Sequence, residues 1–181
     1  MAFLSYTQEF NDNLLMLLLR DHQRYLPIVE FFDKVTQQLS ELSWAEAELI
    51  ATQVSQVNHS AFCNGIRSGM VEALNANEES LKTEKLAPIV SFALKVNQDA
   101  SGINEQDIQA VTNAGWSEQT VEDVVALVAA QKLYNTLATG LGFKALPAAA
   151  FSEIGRDTVD KGGYAASFRA FIEATQQPTT G

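Results

Sequence analysis

Apolar residues recur along this chain at intervals of three and four, the spacing of one buried helix face, from residue 14 almost to the end. Leu14, Leu15, Leu17 and Leu18 open the pattern behind three cap candidates, Asn11, Asp12 and Asn13. Pro27 restricts Leu26 and so predicts an end to this first helix near Tyr25. Pro27 then suits the first turn of a second helix, whose Ile28, Phe31, Phe32, Val35 and Leu39 follow the spacing of a core face. At Ser43 the chain carries a capping box. Ser43 caps, Glu46 reaches back to the cap N–H, and Leu42 with Ala47 supplies the flanking apolar contact. Ala47, Ile50, Ala51, Val54 and Val57 continue as a core stripe with Glu48 at its edge, beside Trp44 and Ala51.

Asn58-His59 is a polar break, and the next helix carries Ser60 and Cys63 in its first turn before running through Ile66, Met70, Ala73 and Leu74. A helix follows over about residues 83 to 97, with Pro88 tolerable near its beginning, and then a turn over 98 to 103. Asn104 with Asp107 caps a short helix that Gly115 closes. Ser117 opens the longest helix, carrying Val121, Val124, Val125, Val128, Leu133, Leu137 and Leu141 up to Gly140 and Gly142. Valine favours strands, but this stretch is too long for one and its spacing is helical. Residues 145 to 150 read as a connector. A last helix over about 164 to 174 presents Phe168, Phe171 and Ile172.

The pattern predicts an all-α fold of about seven or eight helices, with one domain over residues 1 to 175 and a flexible tail over 176 to 181. Composition agrees: 181 residues, 46% hydrophobic and 19% charged, suit one globular core. A formal net charge of −10 repels nucleic acid and anionic membranes, so neither is an expected partner. The start lacks a basic signal region, the Leu14 to Leu19 run is too short to span a bilayer, and one cysteine builds no disulfide framework. A cytoplasmic protein is expected. Two histidines and scattered carboxylates without ligand spacing give no metal site, and no glycine-rich loop cradles a phosphate or cofactor.

Candidate chemistry concentrates between residues 48 and 67. Cys63 is the only cysteine, and His59 is one of two histidines. A thiol in the first helical turn lies where the dipole is positive, an effect worth up to about 2 kcal/mol for a partly buried anion. Arg67, four residues on, shares its face and adds a permanent cation. Together these predict a thiol biased towards thiolate. The bland alternatives stand beside this reading: free cysteine is often a buried hydrophobe, Ser60 a cap, Arg67 and Glu48 surface charges, and His59 structural.

The spacing of Glu48, Ser60, Cys63 and Arg67, E-x11-S-x2-C-x3-R, resembles the E-x11-C-x2-C-x3-H site of the alkyl hydroperoxidase D-like, or carboxymuconolactone decarboxylase, family. Leu42-Ser43 and Glu48-Leu49-Ile50-Ala51 extend the resemblance upstream, and Ile103 to Asp107 with Ala114-Gly115-Trp116-Ser117 extends it downstream, over roughly residues 14 to 143. It implies the hydroperoxidase D-like fold, a homo-oligomer (trimer or hexamer) and a small-molecule substrate. In the complete family site the second cysteine reduces a hydroperoxide, the first resolves it as a disulfide, and Glu and His relay protons. Here Ser60 replaces the resolving cysteine and Arg67 the histidine, which rules out the intramolecular dithiol cycle.

The resemblance therefore implies an antioxidant, peroxidase-like oxidoreductase. In it Cys63 attacks the peroxide, Glu48 handles protons, Ser60 and Arg67 support the sulfur, His59 stands in for the family histidine, and an external thiol is the reductant. The alternatives are a decarboxylase-like lyase on a small carboxylated lactone, and a non-catalytic member kept for assembly or ligand binding.

Overall fold

The computed structural model describes residues 3–6, 13–38 and 40–176. Asn11, Asp12, Leu39 and residues 177–181, named above as cap candidates, core position and tail, lie outside them. Nine α-helices occur among the described residues: α1 (Leu14–Arg20), α2 (His22–Gln37), α3 (Trp44–Val57), α4 (Ala61–Ala73), α5 (Leu86–Asp99), α6 (Glu105–Asn113), α7 (Glu118–Gly140), α8 (Ala148–Asp160) and α9 (Tyr164–Gln176). The fold is all-α, with one helix beyond the seven or eight that the pattern implies. No helix among the described residues is long and apolar enough to cross a membrane.

Local side-chain caps set four of the nine helix starts. Asn13 accepts from Leu15 N at α1, and Ser43 with Glu46 closes a full capping box at α3. Asn104 with Asp107 does the same at α6, and Ser117 accepts from Thr120 N at α7. Gly115, at φ 91°, takes the left-handed turn after α6. The loop before α3 is tied to the start of α7 by Glu41, which accepts from Ser117 N at 2.8 Å and from the Thr120 hydroxyl. Those hydrogen bonds pull its pKa down to about 2.

Four expectations are corrected. The break between the first two helices falls at Asp21, not near Tyr25, so Pro27 lies inside α2 rather than in its first turn. Packing of Val29, Phe32 and Val35 outweighs the interior-proline cost of about 3 kcal/mol. Within α2, Phe31 is exposed, because the buried face is centred on Phe32. Val57, Val125 and Leu133 are likewise exposed, the first at the end of α3 and the others on the outer side of α7. Residues 148–150, expected in a connector, instead open α8, which Pro147 precedes.

The α4–α8 contact is the most intimate in the molecule, and glycine makes it so. A β-carbon on Gly65 would strike the Phe151 ring; one on Gly69 would meet the Phe151 carbonyl, and one on Gly155 the Gly69 carbonyl. Backbones touch here, so α8 settles against α4 and Phe151 meets Phe62 edge-on at 5.9 Å between centroids. Gly155→Ala should therefore destabilise the protein by about 1–3 kcal/mol despite alanine's better helix propensity. Gly140→Ala, with open space around it, should be neutral or stabilising by up to about 1 kcal/mol. Urea denaturation of both variants measures the contrast.

Candidate functional site

Glu48 was expected at the edge of the α3 stripe, and Arg67 on the face of Cys63 or, in the bland alternative, at the surface. Both are interior: Glu48 is 0% exposed and Arg67 4%. Arg67 Nη1 lies 3.2 Å from Glu48 Oε2, linking α4 to α3. Two buried charges cost several kcal/mol each in desolvation unless their remaining hydrogen-bonding capacity is met. The surroundings meet much of it. Trp44 Nε1 donates to Glu48 Oε1 at 3.2 Å, and the Tyr164 hydroxyl donates to the same oxygen at 2.9 Å while accepting from Arg67 Nη1. The guanidinium lies over the Phe32 ring at 4.1 Å and the Tyr164 ring at 4.7 Å. Burial alone would favour loss of the Arg67 proton, but Tyr164, Glu48 and Cys63 together hold its pKa above the ordinary value.

Tyr164 reaches the pair from α9 because of a connection with no sequence signature of its own. Asp33 of α2 caps that helix from outside, accepting from Tyr164 N and Ala165 N at 2.7 Å each. Gly163, at φ 145°, makes the approach possible, since a side chain there would meet Asp33 and Gln37. Burial raises the Asp33 pKa, and the backbone N–H groups of Ala165 and Tyr164 pull against it.

Cys63 is 3% exposed and lines a cavity of about 630 Å³ between α1, α2, α4, α7, α8 and α9. Arg67, Tyr134 and Tyr164 share that wall, and leucine, valine, isoleucine and phenylalanine side chains form most of the rest. The expected activation of the thiol is reversed. Burial pushes the Cys63 pKa up, and the Ser60 hydroxyl and Arg67 guanidinium only partly oppose it. Ser60 precedes α4 but makes no side-chain cap; its Oγ is buried, beside the sulfur, and makes no hydrogen bond of good geometry among the described residues. Burial likewise raises the Tyr134 pKa, so that phenol is neutral.

Of the five candidates, the structure gathers Cys63, Ser60, Arg67 and Glu48 around the start of α4. His59 is not among them. It is exposed, at φ 52°, in the turn between α3 and α4, and it does not line the cavity. Sequence reasoning missed Tyr164, Tyr134 and Asp33. The one usable signal was Gly162-Gly163 before Tyr164, which marks a forced turn. No group of three or more potential metal ligands exists among the described residues.

Two measurements test this geometry. Arg67→Met strands a buried carboxylate and should cost about 3–5 kcal/mol, while Glu48→Leu combined with Arg67→Met should recover most of it, as read by denaturation of single and double variants. A double variant as unstable as the sum of the singles would contradict the pair. Second, folding raises the Cys63 pKa, so the neutral thiol contributes stability that is complete below the unfolded value, about 8.5, and is lost as pH rises through the folded value. The wild type should lose more stability than Cys63→Ala on going from pH 8 to pH 10, measured on the same denaturation curves.

No protein-family model and no curated protein matches the chain. Solved structures do. The alkylhydroperoxidase AhpD core structure of an uncharacterized peroxidase-related protein from Ralstonia eutropha JMP134 aligns at a TM-score of 0.65 and 21% identity, over 77% of this chain and 78% of that one. An uncharacterized peroxidase-related protein from Silicibacter sp. TM1040 aligns at 0.68 and 16%, with the same coverage. The chain therefore has the AhpD-like fold of these peroxidase-related proteins.

Proposed function

We propose that this protein reduces an organic hydroperoxide through Cys63 and is reset by an external thiol. The observation that carries the reading is the position of the chain's only thiol, on the wall of an apolar cavity and next to a buried guanidinium. The fold shared with peroxidase-related proteins supports it. In the first step the sulfur attacks the terminal oxygen of R–O–O–H. The O–O bond breaks, Cys63 becomes a sulfenic acid, and the thiol proton ends on the departing alkoxide to give R–OH. One external thiol then condenses with the sulfenic acid, releasing water and forming a mixed disulfide. A second external thiol displaces Cys63 and leaves as the oxidised disulfide.

A second reading, ligand binding without turnover, is favoured by one observation: burial holds the sulfur in its less nucleophilic, protonated form. The resting thiol should accordingly react slowly at neutral pH and faster as pH rises past the ordinary thiol range. The two readings separate cleanly. Folded protein incubated with cumene hydroperoxide and a dimedone-type probe should gain label at Cys63, and hydroperoxide consumption with dithiothreitol should vanish in Cys63→Ser. Absence of both label and consumption in folded wild type would leave the binding reading.

A further inference from the structure

Arg67 uses only one end of its guanidinium. Nη1 donates to both Glu48 oxygens, at 3.2 and 3.5 Å, and to the Tyr164 hydroxyl. Nε is buried with no hydrogen-bond partner, and Nη2 donates to nothing among the described residues. In a guanidinium, Nε–H and the adjacent Nη2–H point the same way along one planar edge, on the side away from Nη1. Arg67 lines the cavity and Glu48 does not, so the edge turned from Glu48 is the one the cavity reaches. The two faces are closed, by the Phe32 ring at 4.1 Å and the Tyr164 ring at 4.7 Å. A buried charged donor left without an acceptor is costly, and two parallel arginine N–H groups match the two oxygens of a carboxylate.

From this arrangement we infer that the cavity binds a monocarboxylate with an alkyl or aryl body, its two oxygens accepting from Arg67 Nε and Nη2. Arg67 then bridges two carboxylates. The bound one touches the guanidinium while Glu48 stands on its other side, so attraction acts over a shorter distance than repulsion. The body runs outwards: Arg67 is 4% exposed, whereas Phe171 on the same cavity is 46% exposed and Leu15 and Leu19 are half-buried. The volume, about 630 Å³, lies within the range of pockets that enclose a small organic molecule. One fork takes one carboxylate. Lys161, the other cation on the lining, is paired with Asp157, and Glu153 adds an acid, so a second carboxylate would meet acids rather than a second fork. Those acids are open to solvent and screened more than the buried edge is. The inference goes beyond peroxide reduction. It gives the cavity a ligand whether or not Cys63 turns over, and that ligand covers the sulfur, which shares the wall one helical turn from Arg67.

Isothermal titration at pH 8 with octanoate, octan-1-ol and octanedioate tests it. Octanoate should bind the wild type, and octan-1-ol, which offers one neutral oxygen, should bind about ten- to a hundredfold more weakly. Octanedioate, which must bury or strand a second charge, should be at least about tenfold weaker than octanoate. Glu48→Leu combined with Arg67→Met removes both charges together; it should weaken octanoate at least about tenfold and keep octan-1-ol, with near-ultraviolet dichroism confirming the folded state. A second readout needs no substitution: octanoate should slow alkylation of wild-type Cys63 by iodoacetamide at pH 9 in proportion to occupancy. Cys63→Ala should bind octanoate as the wild type does, so octanoate binding without hydroperoxide consumption removes the peroxidase reading alone. Octan-1-ol or octanedioate binding as tightly as octanoate, no octanoate binding to folded wild type, unchanged octanoate affinity in the folded double variant, or saturating octanoate that leaves alkylation unslowed would overturn the inference.

Discussion

The buried ion pair between Glu48 and Arg67 constrains more of this molecule than any other contact. Each ion needs partners that water no longer supplies, and the partners come from four helices: Trp44 and Glu48 on α3, Arg67 on α4, Phe32 on α2 and Tyr164 on α9. An assembly of this kind contributes little net stability compared with an apolar core of the same volume. What it does fix is geometry, because any displacement of α9 or α2 leaves a charge without a partner. The cavity wall that carries Cys63 is held by the same constraint, since Arg67 and Tyr164 belong to both.

The thiol shows how two effects of opposite sign are decided by magnitude. A helix N-terminus and a nearby guanidinium favour thiolate, and both are present. The dipole contributes at most about 2 kcal/mol. Desolvating an ionised group shifts its pKa by up to about 3–5 units when burial is complete, each unit being about 1.4 kcal/mol. With Cys63 3% exposed, burial wins, and Arg67 is less help than its charge suggests because Glu48 already neutralises it. Sequence spacing reveals the cation but not the carboxylate that cancels it.

That limit recurs across the fold. The capping boxes at Ser43 and Asn104, the cap at Ser117 and the turn at Gly115 were legible because each is satisfied within a few residues. Glu48, Ser60, Cys63 and Arg67 were legible as a spaced set because a helix, a turn and a second helix bring them together locally. Pro27 and α8 were not, since long-range packing decides both: Val29 and Phe32 sustain α2 past a proline, and Gly69 and Gly155 hold α8 against α4. Tyr164 was marked only by the glycine turn before it, for the same reason. It stands 116 residues from its acceptor, and the residue that aims it, Asp33, is 131 residues from it in sequence.

Where the sequence resemblance expects a histidine the chain has Arg67, and the geometry makes the chemical difference concrete. A histidine can exchange a proton during a reaction, leaving a neighbouring glutamate free to act as its partner. An arginine does not, and once buried it requires a permanent counter-ion. Glu48 fills that place, with its oxygens taken up by Arg67, Tyr164 and Trp44, and it does not line the cavity. A proton leaving Cys63 therefore cannot pass to Glu48, and the carboxylates that do line the cavity, Glu153 and Asp157, belong to α8. In the proposed reduction, the oxygen released when the peroxide bond breaks would take that proton, which would tie ionisation of the sulfur to the arrival of substrate, while burial keeps the resting thiol protonated.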